Sequence, residues 1–294
     1  MSRETSAGEA PVTLVCETFG ISRAAYYASR AEKKPAPSKV VQLPAKPRYA
    51  SAEDVLAAIR KVIEDEPAYG VRKVWAVLRR QGMKVSRKRV WALMRSNGLV
   101  LARDSEPGEP RRGHVVVPEP NRRLATDLTT TFTKRDGIIA IIPTMDCGCR
   151  SLLSIEVTKR QDTTAVLAPV EDALLATFGH PDAVPLGLEI RTDHGPQYTG
   201  GDFEEFATKW NLDHTLAPVG RPTGNAAVER LIRTMKEEVV WLRDWESAEE
   251  LRQALLDWMV RYNTRRPHQA LGWLTPAEYR AQHLGTTTSA AAAA

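Results

Sequence analysis

Cysteine is scarce in this chain. Cys16, Cys147 and Cys149 are the only three, too few for a disulfide framework, and the stretch "CGC" lacks the paired ligand sets of a zinc site. They read as structural thiols. Long apolar runs are missing too: none reaches the roughly 18 residues of a membrane span, and the opening "MSRETSAGEA" has no apolar signal core. A soluble, cytoplasmic protein with no membrane partner is therefore expected. Nor is there an overall acidic excess, since the formal charge is +5. That total conceals an asymmetry. Residues 1–120 hold 22 Lys and Arg against 13 Asp and Glu, whereas residues 121–294 hold 19 against 23. One part is built to meet a polyanion and the other is not.

At about 150 residues per domain, 294 residues suggest two domains or more. Within residues 1–48, "VTLVCETFGISRAAYYASRA" has the outline of a helix, a Gly turn and a second helix capped by Ser22, followed by a linker rich in Pro and Lys. Residues 49–102 predict a compact helical DNA-binding domain of three helices. The first carries Val55, Ile59 and Ile63 at helical spacing behind an acidic first turn. The second buries Val74, Val77 and Leu78 and presents Arg72, Lys73, Arg79 and Arg80. The third, from Ser86 to Gly98, sets Arg87, Lys88, Arg89 and Arg95 around an apolar stripe of Val90, Leu93 and Met94, which suits the recognition helix of a helix-turn-helix. Trp75 and Trp91 recur at helical spacing and read as core residues.

A second Pro- and Gly-rich linker spans 103–120. Beyond it, three β-branched runs, a helix, then alternating strands and helices predict an α/β domain with a mixed sheet over 121–245. Residues 246–283 read as a helical extension, and 284–294 as an unstructured tail.

Three carboxylates stand out. Asp127 lies within a strand, "LATDLTTTF", where a charge is unwelcome unless it is paired or bound to a metal. Asp193 ends the strand "LGLEIRT", where the ligand crevices of α/β sheets open. Glu229 lies early in the helix "GNAAVERLIRTMKEEVVWL", sharing one face with Asn225, Arg233 and Lys236, while Val228, Leu231, Ile232 and Met235 form the other. Singly, each acid is as easily a turn former or a solvated surface group. Together they suit two divalent ions roughly 4 Å apart, clamping the attacking and leaving oxygens of a phosphoryl displacement. Mg²⁺, which wants hard oxygen ligands and completes its shell with water and phosphate, is the expected cofactor, two ions per site.

The segments "ATDLTTTF", "TDHGPQYTG" and "GRPTGNAAVERLIRTMKEEV" resemble, in order, the catalytic segments of the DDE transposase and retroviral integrase superfamily, with 35 residues between Asp193 and Glu229. The stretches "YGVRKVWAVLRRQGMKVSRKRVWALMRSNGL" and "YNTRRPHQALGWLTPAEY" narrow the resemblance to the second-reading-frame product of IS-three family insertion sequences. Leu124 stands where members often carry Trp, and "TDHGPQY" where "SDRGSQY" is usual.

That resemblance implies a ribonuclease-H-like core with Asp127, Asp193 and Glu229 as metal ligands, Mn²⁺ substituting for Mg²⁺. It also implies double-stranded DNA as partner, a homo-oligomer of at least a dimer in the synaptic complex, and action at the bacterial nucleoid by a copy-out, paste-in route. An upstream reading-frame product is a further partner left open. His194, Gln197, Asn225, Arg233 and Lys236 join Arg72, Lys73, Arg87, Lys88, Arg89 and Arg95 as candidate DNA contacts. Arg265, Arg266 and His268 are read either as phosphate ligands or as part of a segment packed on the core. The loop "APVGRPTGN" is expected to let Glu229 stand apart from the two aspartates when DNA is absent. The rival readings are a catalytically idle DNA-binding protein and a nuclease acting on RNA hybrids.

Overall fold

The computed structural model describes residues 12–30, 50–101, 116–218 and 225–291. Both linkers, apart from residues 116–120, and the centre of the loop "APVGRPTGN" lie outside the described residues. The chain divides into two compact units, Met1–Arg48 and Tyr49–Ala294.

In the first unit, α1 (Val12–Phe19) and α2 (Arg23–Arg30) are joined through Gly20, whose φ of 66° is one that L side chains rarely adopt. Ser22 caps α2 by accepting from the Ala25 N–H at 3.2 Å.

The second unit opens with α3 (Ala52–Asp65), α4 (Val71–Arg80) and α5 (Arg87–Ser96). Ser51 and Ser86 cap α3 and α5 through the amides of Asp54 and Arg89. The apolar positions read from the periodicity converge on one small core that includes Val55, Ile59, Val74, Leu78, Val90 and Met94. Although the sequence marks 49–102 as a domain, these helices belong to the same compact unit as the sheet that follows. Ion pairs between Arg80 and Glu278 and between Lys73 and Glu238, with an edge-on contact of Trp75 against Trp273, join the two parts.

The sheet is built from β1 (Arg123–Thr126), β2 (Thr129–Thr133), β3 (Gly137–Asp146), β4 (Leu152–Thr158), β5 (Leu188–Thr192) and β6 (Leu212–Leu216). Its helices are α6 (Thr163–Phe178), α7 (Pro196–Thr199), α8 (Gly201–Lys209), α9 (Ala226–Glu238), α10 (Ala248–Thr264) and α11 (Pro276–Ala291). β1 and β2 pair antiparallel with β3 in one unbroken register, from Leu124 opposite Asp146 to Thr133 opposite Gly137. They are two halves of one strand, broken at Asp127 and Leu128. The register sets Asp127 opposite Pro143, which has no N–H to give to the ladder. β4 lines the other side of β3, β5 runs parallel to β1, and β6 parallel to β5.

This mixed sheet is the architecture expected from the strand texture. Alternation divides its side chains between two cores. Ala125, Ile139, Ile141 and Met145 meet Val228, Leu231 and Met235 of α9 and Leu255 and Trp258 of α10. On the opposite face, Leu124, Ala140, Ile142 and Ile190 meet Val166, Val170 and Leu174 of α6 and Phe203 of α8. Each fully buried Val, Leu, Ile, Phe or Met among them contributes about 1.5–3 kcal/mol by leaving water.

The turn after β3 holds Cys147 and Cys149, both buried and free. Asp146, fully buried, organises it by accepting N–H bonds from Gly148, Cys149 and Asn121, with Arg280 of α11 at 3.2 Å. α11 continues to Ala291, past the point where the sequence suggested an unstructured tail; its closing residues include alanines, the strongest helix formers. Among the described residues no helix is long and apolar enough to cross a membrane.

Candidate active site

Asp127 and Asp193 are brought together by strand register. β1 and β5 pair in parallel with Ala125 beside Arg191; two residues further along each strand come Asp127 and Asp193. Parallel neighbours lie about 4.8 Å apart, and residues of equal parity point to the same face. Here that face is the one on which Ala125 packs, the face covered by α9.

Both aspartates are also tethered locally. Asp127 accepts from its neighbour Leu128 at 2.8 Å, and Asp193 accepts from the Gly195 N–H at 2.9 Å. The turn-forming role of Asp193 is thus real, and it uses one oxygen. Gln197 folds back over Gly195, so that a Cβ there would meet the Gln197 amide at 2.5–2.8 Å. Tyr198 is fully buried and edge-on to Phe203.

Glu229 comes from α9. The first turn of that helix is fastened to the sheet by Asn225, whose Nδ2 donates to the Thr126 carbonyl at 3.3 Å, the peptide just before Asp127. Asn225 is itself buried, so it anchors the helix rather than facing outward with Glu229, which is exposed. Among the described residues no three Asp, Glu, His or Cys side chains are drawn close enough to hold an ion.

Electrostatics nevertheless link all three acids. The Asp127 carboxyl is pushed up to about 6, first by burial, then by the charges of Asp193 and Glu229, with Lys236 acting in the opposite direction. Of the three, strand register sets only Asp127 and Asp193 side by side, and carboxylate oxygens are the donors that hard divalent cations such as Mg²⁺ take.

The other candidates separate into exposed and internal groups. Arg72, Arg87, Lys88 and Arg95 are exposed, and Arg89 is half-buried. Trp91 is 46% exposed with the Arg95 guanidinium 5.1 Å from its ring centroid, so it is a surface residue, contrary to its reading as core. Trp75 is half-buried and donates to the Val85 carbonyl at 3.1 Å. Lys73 does not join the basic surface: its Nζ lies 2.7 Å from the buried carboxylate of Glu238, which requires a cation. Arg266 turns inward to the same carboxylate, while Arg265 stays exposed.

Arg233 pairs with Glu237 one turn on, an exposed pair that leaves it accessible. Lys236 reaches over the ring of Trp241. His194 bonds through Nε2 to the carbonyl of Ala217 at 2.7 Å; since a carbonyl only accepts, Nε2 carries the proton. Sequence reasoning missed Glu238. Its signal was present, as it follows Leu231 and Met235 on the apolar stripe of α9.

Comparison with known proteins shows the family. Residues 117–222 and 211–276 match two family models described as integrase core domain, and residues 51–104 match an HTH-like domain. Transposase InsD for insertion element IS2A/D/F/H/I/K of Escherichia coli is 30% identical over 247 residues, covering 80% of this chain and 81% of the relative. Transposase InsD for insertion element IS2-9 of Escherichia coli strain K12 matches at 30% identity, with 79% of its length covered. The chain belongs to the IS-three family of insertion-element transposases.

As a member of that family it is an enzyme, a polynucleotidyl transferase with a ribonuclease-H-like integrase core behind HTH-like helices. Two solved structures are similar to it: the HTLV-2 integrase catalytic core domain in complex with magnesium (trimeric form), at 17% identity and TM-score 0.42 over 55% of this chain and 97% of that one, and a simian T-cell lymphotropic virus intasome in complex with PP2A regulatory subunit B56 gamma, at 17% identity and TM-score 0.46 over 76% and 74%.

Proposed function

We propose that this transposase binds the terminal inverted repeats of its insertion element as double-stranded DNA and catalyses metal-dependent strand cleavage and strand transfer, in a copy-out, paste-in reaction. The observation that carries this is the β1–β5 register, which sets Asp127 beside Asp193 on the face covered by the helix of Glu229. Asp127, Asp193 and Glu229 would hold the ions. Two Mg²⁺, or Mn²⁺ in their place, would there supply Lewis-acid stabilisation of the charge that builds on the scissile phosphate.

The chain's own groups do the rest. Asp127 and Asp193 present oxygens from a rigid sheet, while Asn225 fixes the start of α9 against the peptide next to Asp127. Arg233 and Lys236, one and two turns beyond Glu229, suit the flanking phosphates, and Gln197 and His194 border the Asp193 turn. Arg72, Arg87, Lys88, Arg89 and Arg95 supply phosphate and base-edge contacts from the helical module. Two element ends must be held at once, so the working form is at least a dimer. A product of an upstream reading frame is a candidate additional subunit.

Asp193→Asn tests the assignment. Binding to duplex oligonucleotides carrying the element's ends should stay within about threefold of wild type, while strand transfer falls by 10³ or more, on the order of what removing a catalytic group costs. A variant that still joins ends would show that the site is misassigned. A wild-type chain that binds ends but never joins them would favour the idle DNA-binding reading.

A further inference from the structure

Glu238 closes α9 from its buried side. Its side chain is 3% exposed, and the carboxylate receives Lys73 Nζ at 2.7 Å, Trp258 Nε1 at 3.1 Å and Arg266 Nε at 3.1 and 3.2 Å. These donors come from three parts of the molecule: α4 of the helical module, α10, and the segment after α10. An acid in the last turn of a helix is opposed by the helix dipole, and a buried one is costly unless cations face it. Nothing about α9 alone calls for a carboxylate there. Its partners do.

The surrounding charges are arranged to keep it ionised. Burial alone pushes the Glu238 carboxyl up, but Arg266 and Lys73, with the hydrogen bonds from Lys73 and Trp258, hold it below the ordinary range. Glu66, just after α3, adds a second anion to the cluster, 3.8 Å from the Arg261 guanidinium, and Lys73 lies over the Tyr69 ring. Displacing one partner of such a network leaves an uncompensated buried charge, which holds the elements it joins in register.

We propose that Glu238 is a positioning residue that couples the DNA-reading helices to the third catalytic carboxylate. Glu229 lies nine residues earlier on the same stiff helix, about 13 Å along its axis. The start of α9 is held by Asn225 and its end by Glu238. The seating of α4 through Lys73 therefore sets how Glu229 stands against Asp127 and Asp193. Lys73, basic and next to the exposed Arg72, is then a strut inside the enzyme and touches no phosphate. This inference rests on the strand-transfer reading above.

The test uses the full chain with duplex oligonucleotides carrying the element's ends, comparing wild type, Lys73→Met, Lys73→Arg and Glu238→Gln. For the Met and Gln variants, the single-turnover strand-transfer rate at saturating DNA should fall by about tenfold or more, as misplacement of reacting groups does. End affinity and its salt dependence should stay as in wild type, and Lys73→Arg should recover most of the rate. A Lys73→Met variant whose log–log salt slope drops by about 0.9 with its saturated rate intact has given up a phosphate ligand, which overturns the proposal. An undiminished rate in Glu238→Gln overturns it as well.

Hydrogen exchange gives a reading that does not depend on turnover. End DNA should slow exchange of the α9 amides in wild type and not in Glu238→Gln, and equal slowing in both overturns the coupling. Should Lys73→Met not fold, Glu238→Gln and Lys73→Arg carry both measurements. Should wild type fail to join ends, the strand-transfer reading falls while hydrogen exchange still decides the coupling.

Discussion

The acidity of Asp127 shows at one residue the effect of burial beside other carboxylates. A carboxyl raised from 3.8 to about 6 binds its proton more tightly in the folded chain than in the unfolded one. Its ionised form is therefore a cost of folding, absent below pH 3.8, growing as the pH rises through the interval and complete above about 6, with an upper limit of about 3 kcal/mol. Asp127→Asn should accordingly raise the melting temperature of metal-free protein at pH 7 and change it little at pH 4. Addition of Mg²⁺ should stabilise wild type and not the variant. Thermal melts at the two pH values, with and without the ion, check both expectations, and equal melting at pH 7 would remove the argument from crowded charge. Asp127 was legible as a candidate because an Asp inside a strand violates local preference, whereas Asp193 and Glu229 were legible only jointly with it. The partners of His194 and Asn225 were not, because their bonds reach carbonyls far away in sequence, which no periodicity records.

At the scale of elements, most of the sheet and its helices were readable from alternation, caps and glycines, since those signals are local. What local signals do not carry is register. The pairing of Asp127 with Asp193 depends on β1 and β5 lying in parallel without an offset, and the break in the first strand depends on Pro143 in the strand opposite. The turn after β3 shows the same limit. Gly148 looks like an ordinary turn glycine, but a Cβ there would collide with the Glu119 carbonyl and stand 2.9 Å from the Pro120 nitrogen. Backbone, unlike a side-chain end, cannot step aside cheaply. Gly148→Ala should destabilise the protein by about 2 kcal/mol or more, shift the strand entry that leads to Asp127, and lower the denaturant midpoint. A midpoint unchanged from wild type would mean that the segment at Glu119 relaxes freely.

For the molecule as a whole, charge divides the labour. The net positive part carries the helical module and the net negative part carries the carboxylates, so DNA approaching the core is drawn by the module rather than by the site. The sequence showed that division but not the strut from Lys73 to Glu238, since a buried ion pair between residues 165 positions apart has no sequence signature until the fold joins them. With Lys73 and Arg266 internal, the exposed cations of α5 become the decisive group. Replacing Arg87, Lys88 and Arg95 together by alanine should lower the log–log salt slope of end binding by about 0.9 for each phosphate that is no longer neutralised, close to 3 if all three side chains touch the DNA backbone. Affinity should fall most at low salt, where counterion release contributes most. Because these residues lie on an element remote in sequence from the carboxylates, Mg²⁺ should stabilise the triple variant as much as wild type. Binding isotherms from low to physiological salt give the slope, and a slope equal to wild type would move the DNA footprint off α5 altogether.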